Sequence, residues 1–135
     1  MTYSVSKTIS FCYGHRLLNY EGKCKHLHGH NGRAEIFLAS EKLDPRGMVV
    51  DFGDVKNIIG GFIDKELDHK MLLCVKDPMA EILKQKGEPH FLMEENPTAE
   101  NIAKLIFRFA KGKNLPVHSV KLWETETSFA VYSEG

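Results

Sequence analysis

Tyr3-Ser4-Val5-Ser6-Lys7-Thr8-Ile9-Ser10-Phe11 sets apolar side chains at alternate positions against hydroxylated ones, and Lys7 is the one break on the apolar side. An extended chain turns successive side chains to opposite faces. The stretch is therefore expected to form a strand with one face on a core and the other in water. From Asn31 the alternation returns at Ala34, Ile36 and Leu38 and closes in the turn signal Asp44-Pro45-Arg46-Gly47. The two segments read as an antiparallel ribbon. The connection between them carries Cys24-Lys25-His26-Leu27-His28-Gly29-His30, and His15 stands near the end of the first strand.

After Gly53 the period changes. Val55, Ile58, Ile59, Phe62, Ile63 and Leu67 recur at helical spacing, with Asp51 or Asp54 as amino-terminal cap. The pair Gly60, Gly61 in its interior costs about 1 kcal/mol per residue against Ala, which points to close packing there. A second amphipathic helix starts after Pro97 at the cap Thr98, shows Ile102, Leu105, Ile106 and Phe109 on one side, and ends near Gly112. Between the helices, Met71 to Glu95 offers a short helix over Met79 to Lys86 and an apolar patch at Phe91, Leu92 and Met93. Strands over His118 to Thr125 and Phe129 to Tyr132 close the chain. The order predicts an α+β fold: a four-stranded antiparallel sheet with two helices packed on one face. Its exposed edges favour oligomerisation.

The 135 residues suit one domain, residues 1–135, with a core large enough to need no staples. Eighteen basic residues balance eighteen acidic ones, so no overall field draws the chain to nucleic acid or an anionic membrane. Three cysteines, Cys12, Cys24 and Cys74, are an odd number, and the opening residues lack a basic segment followed by an apolar one. A cytoplasmic protein with reduced thiols is the expectation. The apolar runs fall short of the ~20 residues that a membrane span needs.

In an extended segment His28 and His30 face the same way, and Gly29 lets the backbone approach closely. The same parity includes His26, so spacing alone leaves open which two of the three imidazoles bind a metal. His15 is a third candidate from the facing strand. Three neutral imidazoles leave the ion its charge and an open position. A competing arrangement is a closed zinc knuckle of Cys12, His15, Cys24 and His28, which would make the chain a binding module. That reading leaves His30, Asp68 and His69 without a role. Cys24, beside a dication and imidazoles, suits a base or nucleophile; Cys12 and Cys74, in apolar surroundings, are expected to be inert core thiols. Asp68 and His69 read either as a couple that tunes a base or as helix-end capping. Glu124 shares a face with Leu122, as a frayed strand end does, or as a carboxylate placed to meet a donor-rich ligand.

These motifs resemble, over nearly the whole chain, the 6-pyruvoyltetrahydropterin synthase and 6-carboxytetrahydropterin synthase family. The matching elements are Gly14-His15-Arg16-Leu17, Cys24 followed by His28-Gly29-His30, Gly47-Met48-Val49-Val50-Asp51-Phe52, Leu67-Asp68-His69, Asn96-Pro97-Thr98-Ala99-Glu100 and Glu124-Thr125. The resemblance implies a tunnelling fold assembling into a barrel, as a homohexamer of two stacked trimers with active sites between subunits. It implies zinc on His15, His28 and His30, Cys24 as catalytic base assisted by Asp68 and His69, Glu124 as anchor of the pterin ring, and Thr98 beside it. The implied substrate is 7,8-dihydroneopterin triphosphate. Three residues between Cys24 and His28 are similar to the carboxytetrahydropterin branch, which serves queuosine biosynthesis. The pyruvoyl branch is the alternative. Arg16, Lys23 and Lys25 stand close in sequence for the triphosphate. The segment from Val75 to Glu95 is longer than the family pattern, and an imidazole at His26 departs from it.

Overall fold

A computed structural model describes residues 1–135. The two alternating segments become long strands, β1 (Tyr3–His15) and β2 (His28–Ser40), paired antiparallel from Tyr3↔Ser40 to His15↔His28. The ribbon thus runs through the expected connection, and His28 and His30 belong to β2 itself. Four shorter strands extend the sheet: β3 (Lys70–Cys74), β4 (His90–Met93), β5 (Val117–Trp123) and β6 (Phe129–Ser133). The sheet has six strands in the order β4-β3-β1-β2-β5-β6. It is mixed, because β3 runs parallel to β1 and β4 parallel to β3.

The expected four-stranded antiparallel sheet is therefore corrected. What hid β3 is its consecutive burial: Leu72, Leu73 and Cys74 are all buried. A short continuous apolar run is usual for parallel strands covered on both faces, and periodicity cannot separate it from a buried helix segment.

Three helices accompany the sheet, one more than the two expected. Helix α1 covers residues 52–67, opening as α-helix at Phe52–Val55 and widening into π turns at Lys56–Gly60 and Ile63–Leu67. Asp51 is its cap, accepting from the Gly53 N–H at 2.7 Å. Val55, Ile59, Ile63 and Leu67 are all fully buried. An α-helix turns about 100° per residue, so positions four apart drift by about 40°; the wider turns offset that drift and keep all four on the sheet. Gly60 is buried in this stretch, yet a Cβ there would meet only Ile9 Cδ1 and Lys56 Cγ, both at 3.8 Å. Packing does not demand glycine there.

Helix α2 (Met79–Lys86) lies where the sequence placed it and ends at Gly87, whose φ of 71° supplies the left-handed residue of the C-terminal turn. Helix α3 (Ala99–Gly112) starts at Thr98, whose hydroxyl accepts from the Asn101 N–H at 3.1 Å. Its most buried side is Ile102, Ala103, Ile106, Phe107 and Ala110, while Phe109 stacks on Phe62 of α1 at 4.1 Å between centroids. Helices α1 and α3 close over Phe11, Ile36, Leu38, Val120 and Leu122 of the sheet.

The segment between β3 and β4 is tied down by an ion pair. Asp77, 2% exposed, receives a two-pronged guanidinium from Arg16, with Nε at 2.7 Å, and also accepts from the Met79 N–H at 2.8 Å. The paired Arg16 holds the Asp77 carboxyl below its ordinary range, against the opposing effect of burial and with help from that N–H. A depressed carboxyl pKa contributes stability that is present above the unfolded value and lost as pH falls through the folded one. Asp77→Asn should therefore cost about 2 kcal/mol in urea unfolding near neutral pH. The gap to the parent should stay level from roughly pH 8 to 6 and close below about pH 4; a gap that widens on acidification would contradict the pairing.

Candidate active site

Register decides which side chains meet. His15 lies opposite His28, and Tyr13 opposite His30. The odd residues of β1 (Phe11, Tyr13, His15) and the even residues of β2 (Ala34, Ile36, Leu38) face the core, so by alternation His15, His28 and His30 all project from the helix-covered face. The ring centroids lie 4.5 Å (His15 to His28), 5.0 Å (His15 to His30) and 5.0 Å (His28 to His30) apart. One ring nitrogen from each lies within 4.8 Å of the others.

Two of the three rings have their tautomer set by the backbone. Nδ1–H of His15 donates to the Pro97 carbonyl at 2.6 Å, and Nδ1–H of His28 donates to the His26 carbonyl at 2.7 Å. Each leaves Nε2 with a free lone pair. Nε2 of His30 stands 3.1 Å from Nε2 of His15, too close for both to carry protons. Burial lowers the His15 pKa, opposed by the Pro97 carbonyl and reinforced by His28. Burial also lowers that of His30, opposed by Glu124 and again reinforced by His28. Imidazoles that converge through Nε2, two of them steadied by a backbone carbonyl behind the ring, are a donor set that zinc takes. The residues fit a divalent metal.

Glu124 follows the same parity on β5 as Val120 and Leu122. Its carboxylate lies 3.9 Å from His15 Nε2 and 3.7 Å from His30 Nε2. Its N–H donates to the Ser128 carbonyl at 3.1 Å, closing the β5–β6 turn. Glu124 thus stands just past the strand end, as one of the two readings had it, and its carboxylate faces the imidazoles.

The other wall is built by Asn96, Pro97 and Thr98. The Asn96 amide donates to the Leu18 carbonyl and accepts from the Leu18 N–H, both at 2.9 Å, and Asn101 donates to the Asn96 carbonyl at 2.9 Å. The Leu17 N–H donates to the Cys24 carbonyl at 2.8 Å, so the β1–β2 loop is folded back and Cys24, in a short turn of 3₁₀ helix (Lys23–Lys25), is held against the site. A cavity of about 330 Å³ brings together His15, Cys24, Thr98, Glu100, Glu124 and Phe129.

A family model described as 6-pyruvoyl tetrahydropterin synthase matches residues 4–135. The chain belongs to the 6-pyruvoyl tetrahydropterin synthase family. It is similar to a 6-carboxy-5,6,7,8-tetrahydropterin synthase of Rickettsia typhi, 39% identical over 133 residues that cover 92% of this chain and 95% of the relative. One of Aquifex aeolicus is 36% identical over 162 residues, covering 99% of each. Among solved structures, an uncharacterized protein from Wolinella succinogenes superposes with a TM-score of 0.83 at 28% identity, covering 100% of this chain and 99% of that one. The 6-pyruvoyl tetrahydropterin synthase of Caenorhabditis elegans shares the fold, with a TM-score of 0.73 at 24% identity over 100% of this chain and 97% of that one. The chain is an enzyme, a lyase of this family.

The structure separates some residues that the sequence reading had grouped. The alternative knuckle is not assembled: Cys12 has the opposite parity from His15 and donates its S–H to Asn31 Oδ1 at 3.0 Å. It is exposed, contrary to its expected place in the core, whereas Cys74 is buried as expected. His26 supplies its carbonyl to His28 while its ring is exposed, so His28 and His30 are the loop imidazoles that stand with His15. Arg16, a candidate for the triphosphate, is committed to Asp77; Lys23 and Lys25 remain exposed. Asp68 and His69 form a pair, with Oδ2 at 2.9 Å from Nδ1. They lie against Cys12, on the other side of the ribbon from the imidazole face. Burial works against the Asp68 carboxylate, but the Cys12 N–H and His69 together hold its pKa below the ordinary value.

Tyr13 went unnoticed in the sequence because its alternation marks it only as core. Its hydroxyl is the one buried side-chain polar atom without a hydrogen-bond partner, and its ring packs 5.3 Å from His15 and 5.6 Å from His30. Burial, and then Glu124, push its pKa above the ordinary tyrosine value. An unpaired buried hydroxyl costs about 1 to 3 kcal/mol, so Tyr13→Phe should raise urea stability by about 1 kcal/mol with metal content unchanged. A loss of stability instead would mean that the hydroxyl has a partner in the assembled enzyme.

Proposed function

We propose that this chain is a zinc-dependent 6-carboxy-5,6,7,8-tetrahydropterin synthase. It would convert 7,8-dihydroneopterin triphosphate and water to 6-carboxytetrahydropterin, acetaldehyde and triphosphate, a step that serves queuosine and related deazapurine biosynthesis. The observation that carries the reading is that His15, one of three converging imidazoles, meets Glu124, Thr98 and Cys24 around one cavity, with His30 also 3.7 Å from the Glu124 carboxylate. The 6-carboxy-5,6,7,8-tetrahydropterin synthases similar to this chain at 39% and 36% identity support the branch, as do the three residues between Cys24 and His28.

In this reading His15, His28 and His30 hold zinc, which when bound polarises the side-chain oxygens of the substrate and acidifies the neighbouring C–H. Glu124 accepts from the ring N–H and amino donors of the pterin, and Thr98 lies beside the ring. Cys24 moves the proton at the side-chain carbon, worth roughly 10²- to 10⁴-fold for a placed acid or base. Asp68 and His69 tune that thiol from another subunit, since within one chain they stand beside Cys12. A homohexamer of two trimers, each closing its sheets into a barrel, would bring them there. Lys23 and Lys25 are the cations left for the triphosphate.

Cys24→Ala should retain metal and fold while losing roughly 10²- to 10⁴-fold in turnover, whereas His28→Ala should lose metal and activity together. Metal analysis beside the assay separates the two, and loss of zinc from Cys24→Ala would make the thiol a ligand.

Product analysis tests the reaction itself. With 7,8-dihydroneopterin triphosphate, acetaldehyde should appear in step with triphosphate, and Glu124→Ala should slow both by leaving the pterin donors unpaired. Triphosphate without acetaldehyde would assign the chain to the pyruvoyl branch, 6-pyruvoyltetrahydropterin synthase.

A further inference from the structure

Cys12 is the thiol for which the proposed chemistry has no use, yet its surroundings are the most tightly specified on the outer side of the ribbon. Its backbone is clasped at both ends. The N–H donates to Asp68 Oδ1 at 2.9 Å, and the carbonyl accepts from the His69 N–H at 2.7 Å. His69 takes a φ of 59°, which is uncommon for a residue other than glycine. That turn directs its imidazole back toward Asp68, with Nδ1 at 2.9 Å from Oδ2.

The consequence is a second cluster of donors, separate from the three imidazoles. One donor atom each from Cys12, Asp68 and His69 lies within 4.8 Å of the other two. Asn31, directly across the ribbon from Cys12, meets the sulfur through its side-chain oxygen at 3.0 Å. Turning that amide over would offer N–H to a thiolate, so the neighbour suits either state of the sulfur. Cys12 and His69 line a cavity of about 590 Å³ whose wall also includes Asn31, Met71, His28 and His30, which gives an ion and its remaining water ligands a way in.

We infer that Cys12, Asp68 and His69 form a second metal site, selective for a thiophilic divalent ion such as zinc or cadmium. One sulfur, one imidazole nitrogen and one carboxylate oxygen make a three-ligand set with an open fourth position. Binding displaces the thiol proton to solvent and breaks the Asp68–His69 contact. The site stands on geometry alone. Its effect on turnover rests on the roles proposed above for Asp68 and His69: an occupied site withdraws both from proton transfer, so excess metal inhibits the enzyme that the first metal activates.

The test is a cadmium titration of the zinc-loaded protein, read by the thiolate-to-cadmium ultraviolet band and by iodoacetamide labelling of each cysteine located by peptide mass. The band should saturate at one ion per chain, persist in Cys24→Ala and vanish in Cys12→Ser. Cadmium should protect Cys12 from labelling in the unsubstituted protein, an outcome that does not depend on how any variant folds. Asp68→Asn should weaken the second ion by more than about 10-fold. A band that disappears in Cys24→Ala, or Cys12 labelled equally with and without cadmium, would overturn the site. Inhibition by excess zinc should be absent in Cys12→Ser; full turnover with the site occupied would leave the site standing and remove Asp68 and His69 from the proposed chemistry.

Discussion

The hydrogen bond from His15 Nδ1 to the Pro97 carbonyl, 2.6 Å long and buried, joins the end of β1 to the start of α3, and the site is assembled on that join. It fixes the tautomer and ring plane of the most buried of the three imidazoles. The same short segment holds the β1–β2 loop through Asn96 and caps α3 through Thr98. Pro97 has no N–H to satisfy, so its burial leaves only a carbonyl to pair, and His15 pairs it. A residue with its own N–H at that position would bring a second polar group into the interior.

Strand parity does the remaining placement. Because β1, β2 and β5 each turn every second side chain to the helices, the core face continues past the last apolar layer into His15, His28, His30 and Glu124 with no change of backbone direction. The site is therefore a polar extension of the hydrophobic core, and burial lowers the pKa values of His15 and His30 there. The opposite parity produces the opposite surface, where Cys12 meets Asn31 and Asp68. A one-residue slip between β1 and β2 would exchange the two sets.

Legibility in the sequence followed the physical range of each signal. The long ribbon, α1, α3 and the closing hairpin repeat their periods over many residues, and α2 was readable from its own short amphipathic run. The parallel strands β3 and β4 were not, since four or five residues are too few to carry a period, and β3 buries three in a row. At the site, parity brought His28 and His30 together without excluding His26, and Glu124 joined them only through the family resemblance, because the pairing of β2 with β5 that brings it there has no local signal. Arg16 with Asp77, and Cys12 with Asp68, are contacts between segments 61 and 56 residues apart; nothing local announces them. Tyr13 was hidden for another reason, as a polar atom on a side chain whose alternation says only that it is buried.

The division of the donors between two faces bears on why such an enzyme would assemble. One subunit gathers Cys24, the imidazoles, Thr98 and Glu124 on the helix-covered side, and holds Asp68 and His69 on the other side by two backbone contacts to Cys12. Strand parity turns Cys12 away from the imidazole face, and Asp68 and His69 stay with it. On the proposed roles, a complete site then requires a second copy of the chain, whose own Cys12 would arrive with its Asp68 and His69. The thiol beside the couple would be a constant neighbour of the catalytic centre, close enough to give a second metal purchase there and yet outside the set of groups that the first metal organises.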